Sequence, residues 1–419
     1  MYQKPKGTRD ILPDVVKDWQ KMESNAREIA GRFAFQEIRT PTFEETGLFL
    51  RSVGESSDIV SKEMYTFEDK GGRSLTLRPE GTAGVVRSFV ENGLFNDVLP
   101  LKLFYIANNF RYENPQAGRY REHTQFGCEA FGVNTPIGDV ELMELSTTFI
   151  KSLGIDNFSL HINSIGCPEC RAKFNNAIKE FAKQNESELC ADCKRRMETN
   201  PLRMLDCKVE GCKKLFKQGP KLSEYLCEEC RDHFSEVQRL LKLANIDFVV
   251  DENLVRGFDY YTKTVFEYVC DDIDGTGRTL SIGGGGRYDN LVEEIGGKRV
   301  SCVGFGLGLD RILMLMPKYE SPVVDVYVMN VGRVKLEDIY LVAQKLRQNG
   351  IKVECNELDR SFKSQFKLAE KLKAKFMCII GDEEMHTNKY TLKNVESGEE
   401  KKLDIESIIK ILKGEESWN

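Results

Sequence analysis

No stretch of this chain carries eighteen consecutive apolar residues, and its first residues, MYQKPKGTRDILPD, lack the apolar core of a signal peptide. The expectation is a cytoplasmic protein with no membrane partner. An excess of positive charge is missing too: 60 Lys and Arg stand against 66 Asp and Glu, a net charge of -6. That argues against a surface basic all over, although local Lys and Arg stripes could still supply phosphate contacts for a nucleic acid. Internal repeats and low-complexity segments are also absent. GGGGRYD (283–289) lacks the lysine and hydroxyl that end a phosphate-binding P-loop, and GFGLGLD (304–310) lacks the Rossmann spacing and its βαβ setting. Neither of the common nucleotide folds is therefore supported, and no Ser-His or Cys-His nucleophile pair is evident. What remains is an ordinary globular composition, 41% hydrophobic and 30% charged over 419 residues, enough for roughly two to three domains with their own cores.

Cysteine is plentiful and unevenly placed. Eight of the thirteen fall in the pairs Cys167/Cys170, Cys190/Cys193, Cys207/Cys212 and Cys227/Cys230. A cytosolic chain keeps thiols reduced, which favours metal over disulfides. Three pairs have two intervening residues and one has four, spacings that let both thiolates reach one tetrahedral ion. Two readings stay open: one or two structural zinc ions, or a helical insertion whose cysteines are small buried side chains. The run of four successive pairs favours the metal. His233, just beyond Cys230, reads as a capping or packing residue.

Along the chain, Trp19, Met22, Ala26, Ile29 and Phe33 recur at helical spacing over 14–34. FQEIRTPTFEETGLF follows as an extended stretch that Pro41 confines to an edge or interface. RSLTLRPEGTAGVVRSFV reads as strand, turn and helix, and LKLFYIANNFRYE and QFGCEAFGV as strands joined by the polar loop NPQAGRYREHT. A helix over 136–153 precedes the cysteine region at 167–232. LVRGFDYYTKTVFEYV, a hairpin-like DDIDGTGRT turn, SIGGGGRYDNLVEEIGG and SCVGFGLGLDRILMLM complete a mostly antiparallel α+β body over 1–320. Pro317 and Pro322 around KYES mark a boundary. Beyond it, over 321–419, VVDVYVMNV, IKVECNE and FMCIIGDEE alternate with the helices KLEDIYLVAQKLRQ and SFKSQFKLAEKLKAK, which indicates an α/β domain with a largely parallel sheet. A hairpin through Glu396, Ser397 and Gly398 and a helix over 404–413 close it.

The richest chemical segment is LVRGFDYYT (254–262), which sets Arg256 on a glycine-hinged extended segment beside Asp259, Tyr260 and Tyr261. A guanidinium next to hydroxylated aromatics suits a site that holds an anionic reacting group and a small polar ring, although an edge strand with a surface ion pair has the same pattern. Arginines also recur at strand ends beside acids or glycines: Arg78, Arg111, Arg119, Arg121, Arg256 and Arg311. Singly each reads as a solvated residue. Converging in one cleft they would clamp a triphosphate, with Glu113 and Glu129 available for metal or amine contacts.

At these residues the chain resembles a known family. FRYENPQAGRYREHTQFGCEAFG looks like motif 2 of the class II aminoacyl-tRNA synthetases, GFGLGLDRILM like motif 3 with its arginine at Arg311, and IRTPTFEETGLF like motif 1. LVRGFDYYTKTVFE and SIGGGGRYDNLV resemble the two signature segments of the histidyl-tRNA synthetase family, and KGTRDILP and TLRPEGTAG fit it as well. The likeness spans nearly the whole chain, with these seven segments in order.

The resemblance implies a six-stranded antiparallel catalytic sheet, a C-terminal anticodon-binding α/β domain and a homodimer. Its substrates would be L-histidine, ATP with Mg2+ and histidine tRNA. It also implies roles. Arg256 would meet the α-phosphate and the substrate carboxylate, Arg111 the α-phosphate from the other side, and Arg311 the γ-phosphate. Glu113 would lie near adenine or metal, and Arg119 would belong to the same ATP site. Glu80, Gln125 and Arg78 would line the amino-acid end, with Glu80 on the α-ammonium. Glu129 and Tyr261 would read the imidazole, with Tyr260 beside them, since neutral imidazole offers one donor and one acceptor. Asp259 is an orienting neighbour rather than a catalyst.

After GRYRE the family carries Phe-His before the glutamine, whereas this chain has His123 and Thr124. Stacking on adenine is then left to the His123 imidazole, or ATP affinity falls. The cysteine-rich insertion departs from many members, so zinc rests on spacing alone. In the C-terminal domain Arg360, Lys363, Lys367, Lys371, Lys373 and Lys375 lie on or beside one helix, either as a solvated face or, in part, as phosphate contacts. Two rivals stand against the synthetase reading. The histidine-sensing regulatory subunit of ATP phosphoribosyltransferase would lack the last domain and parts of the signature segments. A zinc-dependent nucleic-acid module would leave most of the chain unexplained.

Overall fold

The computed structural model describes residues 2–54, 59–271, 279–318, 322–357 and 360–418. The chain divides into two compact units, Met1–Lys318 and Tyr319–Asn419. Most of the expected DDIDGTGRT turn (272–278) and of the KYES segment (319–321) lies outside the described residues.

An eight-stranded sheet organises the first unit. Its spatial order is Gln36–Glu37, Leu101–Phe110, Glu122–Phe131, Cys302–Gly308, Thr279–Arg287, Thr262–Asp271, Ser159–Ser164 and Val249–Val250. The six inner strands pair antiparallel throughout, and only the two-residue edge strands pair parallel. Helices Pro13–Arg32, Pro136–Ser152 and Glu228–Leu243 cover one face. The first begins at Pro13, where a missing N–H costs nothing, and buries Trp19, Met22, Ala26 and Ile29 on one stripe. These meet Phe126, Phe149, Phe266 and Phe305 in a continuous core.

A buried ion pair locks sheet to helices. Arg287 donates to Asp139 at 2.5 Å and to the carbonyls of Val133 and Thr135, and His233 lies 3.3 Å from the same carboxylate. Burial alone would raise the Asp139 carboxyl, but Arg287 and His233 hold it below its ordinary value. His233 therefore packs against the core, as its place after the last cysteine pair suggests.

Two segments depart from the extended readings. FQEIRTPTFEETGLF is not one strand: Gln36–Glu37 joins the large sheet, while Phe43–Glu45 joins a separate three-stranded sheet with Ser74–Leu77 and Tyr65–Glu68. Pro41 lacks the N–H that would carry one ladder through both. The TGLF end turns helical, in Thr46–Val53. Residues 254–261, read as the start of a strand, form a loop, and the strand begins at Thr262. Their polar groups are drawn instead to the insertion: Arg203 donates to the Gly257 carbonyl at 2.9 Å and Asn200 to the Asp259 carboxylate at 2.8 Å.

The cysteine region is helical, with Pro168–Gln184, Ala191–Thr199, Glu210–Lys217 and the start of Glu228–Leu243. The second unit has a five-stranded sheet in the order Val353–Cys355, Val326–Asn330, Phe376–Ile380, Tyr390–Asn394 and Glu400–Leu403. The first three are parallel and the last two form the antiparallel hairpin. Helices Leu336–Gln348 and Phe362–Lys371 connect the parallel strands, and Ile405–Lys413, capped by Asp404, closes the chain. Among the described residues no helix is long and apolar enough to cross a membrane.

A candidate active site on the antiparallel sheet

A cleft of about 350 Å³ opens over the sheet in the first unit. Its floor comes from Gln125, Glu267, Ser281, Gly283 and Gly306, one side from the loop that carries Arg111, Glu113 and Arg119 together with His123 at the start of strand Glu122–Phe131, and another from Arg256, Gly257 and Phe258. Arg311, at the start of helix Leu309–Leu315, closes one end. Seven expected site residues therefore meet in one cavity: Arg111, Glu113, Arg119, His123, Gln125, Arg256 and Arg311.

The electrostatics of this cavity are one-sided. Burial lowers the pKa of Arg111, Arg119 and Arg311, and each is lowered further by neighbouring guanidinium groups. His123 is drawn down to about 3, first by burial and then by Arg111, Arg311 and Arg119. It is thus a neutral ring among cations, free to stack. Few carboxylates balance these charges. Glu113 pairs with Arg119, and Asp310 is taken by Arg9 at 2.6 Å and by the Thr124 amide at 2.7 Å. Arg256 donates to Glu267 at 2.8 Å, and burial opposes its charge, but Glu267, Tyr261 and Tyr260 hold its pKa above the ordinary value. Its Nε is buried and has no acceptor among the described residues. An enclosed excess of guanidinium charge with a donor left over is the electrostatic counterpart of an anionic ligand.

Beyond the cleft floor lies a second, polar compartment. Glu129 has no exposed surface; its carboxylate accepts hydrogen bonds from Thr82 at 2.7 Å and Tyr288 at 2.5 Å, with the Tyr105 hydroxyl at 3.5 Å. Burial pushes its pKa up to about 8. Tyr260 stacks on Phe258 at 5.2 Å and meets Tyr261 and Tyr288 at 4.7 and 5.6 Å. Glu80 is buried too, its oxygens accepting the amides of Thr82 and Ala83 at 2.7 Å, where they cap helix Thr82–Glu91. Glu80, Glu129, Tyr260 and Tyr261 are thus buried beside the cleft, where Tyr260 stacks on the cleft residue Phe258, and do not themselves line it.

Arg78 lies elsewhere. It donates to the carbonyls of Asn108, Thr40 and Pro41 at 2.7, 3.0 and 3.2 Å, bracing the join between the two sheets. Thr82, Tyr288, Glu267 and Asp310 lie inside the family-like segments without being singled out there, and Tyr105, Asp206 and Lys208 lie outside them; Thr82, Tyr105 and Tyr288 surround Glu129, and Glu267, Asp310, Asp206 and Lys208 border the cleft. Alternation along the strand is a signal that could have flagged Glu267, set two residues from both Val265 and Val269; Asp206 and Lys208 have no such signal.

The eight cysteines gather into two groups. Cys167, Cys170, Cys227 and Cys230 form one, and Cys190, Cys193, Cys207 and Cys212 the other, with the sulfurs of each within 4.8 Å of one another. All are free thiols. Each group offers the donor set and compactness of a tetrahedral thiolate site.

Residues 7–312 match the family described as histidyl-tRNA synthetase, and residues 325–415 match the family described as anticodon binding domain. A histidine–tRNA ligase of Caldanaerobacter subterraneus subsp. tengcongensis is 48% identical over 98% of this chain and 99% of its own length. One of Thermoanaerobacter pseudethanolicus is 49% identical over 96% of this chain and 97% of its own. The apo crystal structure of S. aureus histidyl-tRNA synthetase superposes with a TM-score of 0.82 at 36% identity, covering 99% of this chain and 100% of that one.

Proposed function

The chain belongs to the histidyl-tRNA synthetase family, and from that premise we propose how its own residues carry the reaction. It ligates L-histidine to histidine tRNA. Histidine and ATP give histidyl-adenylate and pyrophosphate; the terminal adenosine of the tRNA then takes the histidyl group and AMP leaves. The first step is in-line attack of the substrate carboxylate on the α-phosphorus, which needs alignment and charge stabilisation and no covalent nucleophile.

The observation that carries the residue assignment is the neutral His123 amid Arg111, Arg119 and Arg311, a cation-rich cleft with an aromatic ring. Arg111 and Arg256 flank the α-phosphate, and the unpaired Nε of Arg256 supplies the added bond as charge builds there. Arg311 and Arg119 hold the outer phosphates, and His123 stacks on adenine in place of the family's phenylalanine. Among the described residues no group of three carboxylates converges in the cleft. Magnesium accompanying ATP would then be held chiefly by the phosphates, with Glu113 and Glu267 as the nearby carboxylates.

Histidine lies with its carboxylate toward Arg256 and its ring toward Glu129 and Tyr261. Glu80 and Gln125 serve the amino-acid end. A compartment of buried hydroxyls and carboxylates leaves polar groups unpaired with an apolar side chain, which rejects such competitors without editing. The insertion carries structural zinc on its cysteines, the chain acts as a homodimer in the cytoplasm, and the 325–415 segment recognises the tRNA.

The alternative, a histidine-sensing regulatory subunit of ATP phosphoribosyltransferase, is disfavoured by the anticodon-binding segment and by full-length likeness to ligases. Histidine-dependent exchange of pyrophosphate into ATP separates the two. The expected result is exchange in the native protein and a loss of roughly 100-fold or more in Arg256→Ala with an unchanged melting profile. No exchange in the native protein, or full exchange in the variant, overturns the assignment.

A further inference from the structure

The four cysteine pairs do not combine in sequence order. The first pair joins the fourth, and the second joins the third, so that one group is nested inside the other. The sulfurs of Cys167 and Cys170 lie 3.5 Å apart, and those of Cys190 and Cys207 3.7 Å apart. A tetrahedral ion about 2.3 Å from each thiolate sets its ligands about 3.8 Å apart, whereas a disulfide needs about 2.05 Å. Backbone amides already point at these sulfurs: Cys193 N–H toward Cys190 Sγ at 3.4 Å, Cys190 N–H toward Cys212 Sγ at 3.3 Å and Cys227 N–H toward Cys170 Sγ at 3.1 Å. Such bonds offset the negative charge of thiolates around an ion.

The two groups differ in what they touch. The outer one ties the ends of the insertion together at helices Pro168–Gln184 and Glu228–Leu243. The inner one abuts the cleft. A second cavity of about 320 Å³ is lined by Cys190 and Cys207 together with Arg111, Glu113 and Arg119. Cys207 is buried between exposed Asp206 and Lys208, and both of these neighbours line the main cleft as well. The same stretch suspends the loop of Arg256 through Arg203 on the Gly257 carbonyl and Asn200 on Asp259.

We propose that the chain binds two zinc ions in this nested arrangement, and that the inner ion, acting through Cys207, holds Lys208 in the wall of the nucleotide cleft as a further contact for the phosphates of ATP. This rests on the ATP reading of the cleft and deepens it. The outer ion closes the insertion and has no part in substrate binding. Lys208 is a binding residue and Cys207 a positioning one.

Metal analysis of the full native chain, paired with steady-state pyrophosphate exchange, tests the proposal. The native protein should hold about two zinc ions. Cys212→Ser and Cys230→Ser should each hold about one, but only Cys212→Ser should raise KM for ATP, with kcat changed far less. Lys208→Ala should keep both ions and raise KM for ATP by about tenfold, the loss expected of one charge-assisted contact. Because this variant leaves the cysteines intact, it decides the matter even if the serine variants fold poorly. Native protein with less than about half an ion per chain, or Lys208→Ala with unchanged KM for ATP, overturns the proposal. In either case histidine-dependent exchange by the native protein would persist, so the failure is distinguishable from failure of the synthetase reading.

Discussion

Glu129 has a pKa of about 8 against an ordinary value of 4.5, because burial disfavours its charge more than Tyr288 and Thr82 favour it. A carboxyl raised in this way adds stability that is fully present below pH 4.5 and is lost as pH climbs through about 8, since the native state binds the proton more tightly than the unfolded chain. The melting temperature of the native protein should therefore fall between those limits, and Glu129→Gln, a neutral isostere, should remove that part of the decline while abolishing discrimination for histidine. Thermal melts at a series of pH values check this, and parallel curves for the two proteins would refute it. The residue scale is also where sequence reasoning reaches least far. Arg111, Arg119, Arg256 and Arg311 are recognisable because each sits in a motif, and all four line the cleft. Arg78 looks identical in one dimension, yet its guanidinium is consumed by three backbone carbonyls. Which role an arginine takes depends on the carbonyls that the fold brings near it, and spacing does not encode that. Thr82 and Tyr288 gain meaning only from meeting at Glu129, across 47 and 159 positions of chain.

At the scale of elements, the glycine-rich strand Cys302–Gly308 explains why large polar groups fit at the centre of a sheet. Gly304 pairs with Glu129 in register, and a methyl group at 304 would overlap the Glu129 carboxylate; at 306 it would overlap the Gln125 amide. At Gly308 it would meet only the Ile282 carbonyl, at 3.5 Å. Gly304→Ala should accordingly destabilise by about 1–3 kcal/mol through overpacking and raise KM for histidine, while Gly308→Ala should be near neutral. Urea titrations of both variants settle it; equal losses would show that the strand merely dislikes side chains. These elements are largely legible, since alternating and glycine-broken apolar runs place five of the six inner strands and two of the three flanking helices, Ser159–Ser164 and Glu228–Leu243 being the exceptions. Where the expectation fails, long-range partners intervene. Residues 254–261 have a strand-like composition but give their polar groups to Asn200 and Arg203 of the insertion. Pro41 is an interruption, as its chemistry requires, although nothing local reveals that the two sides join different sheets.

At the scale of the whole molecule, a net charge of -6 must coexist with a polyanionic tRNA, so attraction has to be local. Helix Phe362–Lys371 of the second unit presents Lys363, Lys367 and Lys371 at successive four-residue steps, all exposed, with Arg360 just ahead of it. That face lies in the segment matching the anticodon-binding family, whereas the cleft residues all belong to the first unit. If that helix holds tRNA, substitutions on it should weaken tRNA binding without touching adenylate formation. If the three lysines neutralise phosphates, each releases counterions on binding, and the slope of log affinity against log salt falls by about 0.7–0.9 for every lysine removed. Replacing all three by alanine should weaken tRNA binding, flatten that slope by about 2 to 3 and leave histidine-dependent pyrophosphate exchange at its native rate. Filter binding over a range of salt concentrations, with exchange measured on the same preparation, provides both readouts. A slope equal to that of the native protein would make this face a solvated helix surface. A loss of exchange alongside weaker binding would mean that the two units are coupled more tightly than the confinement of the cleft to the first unit requires.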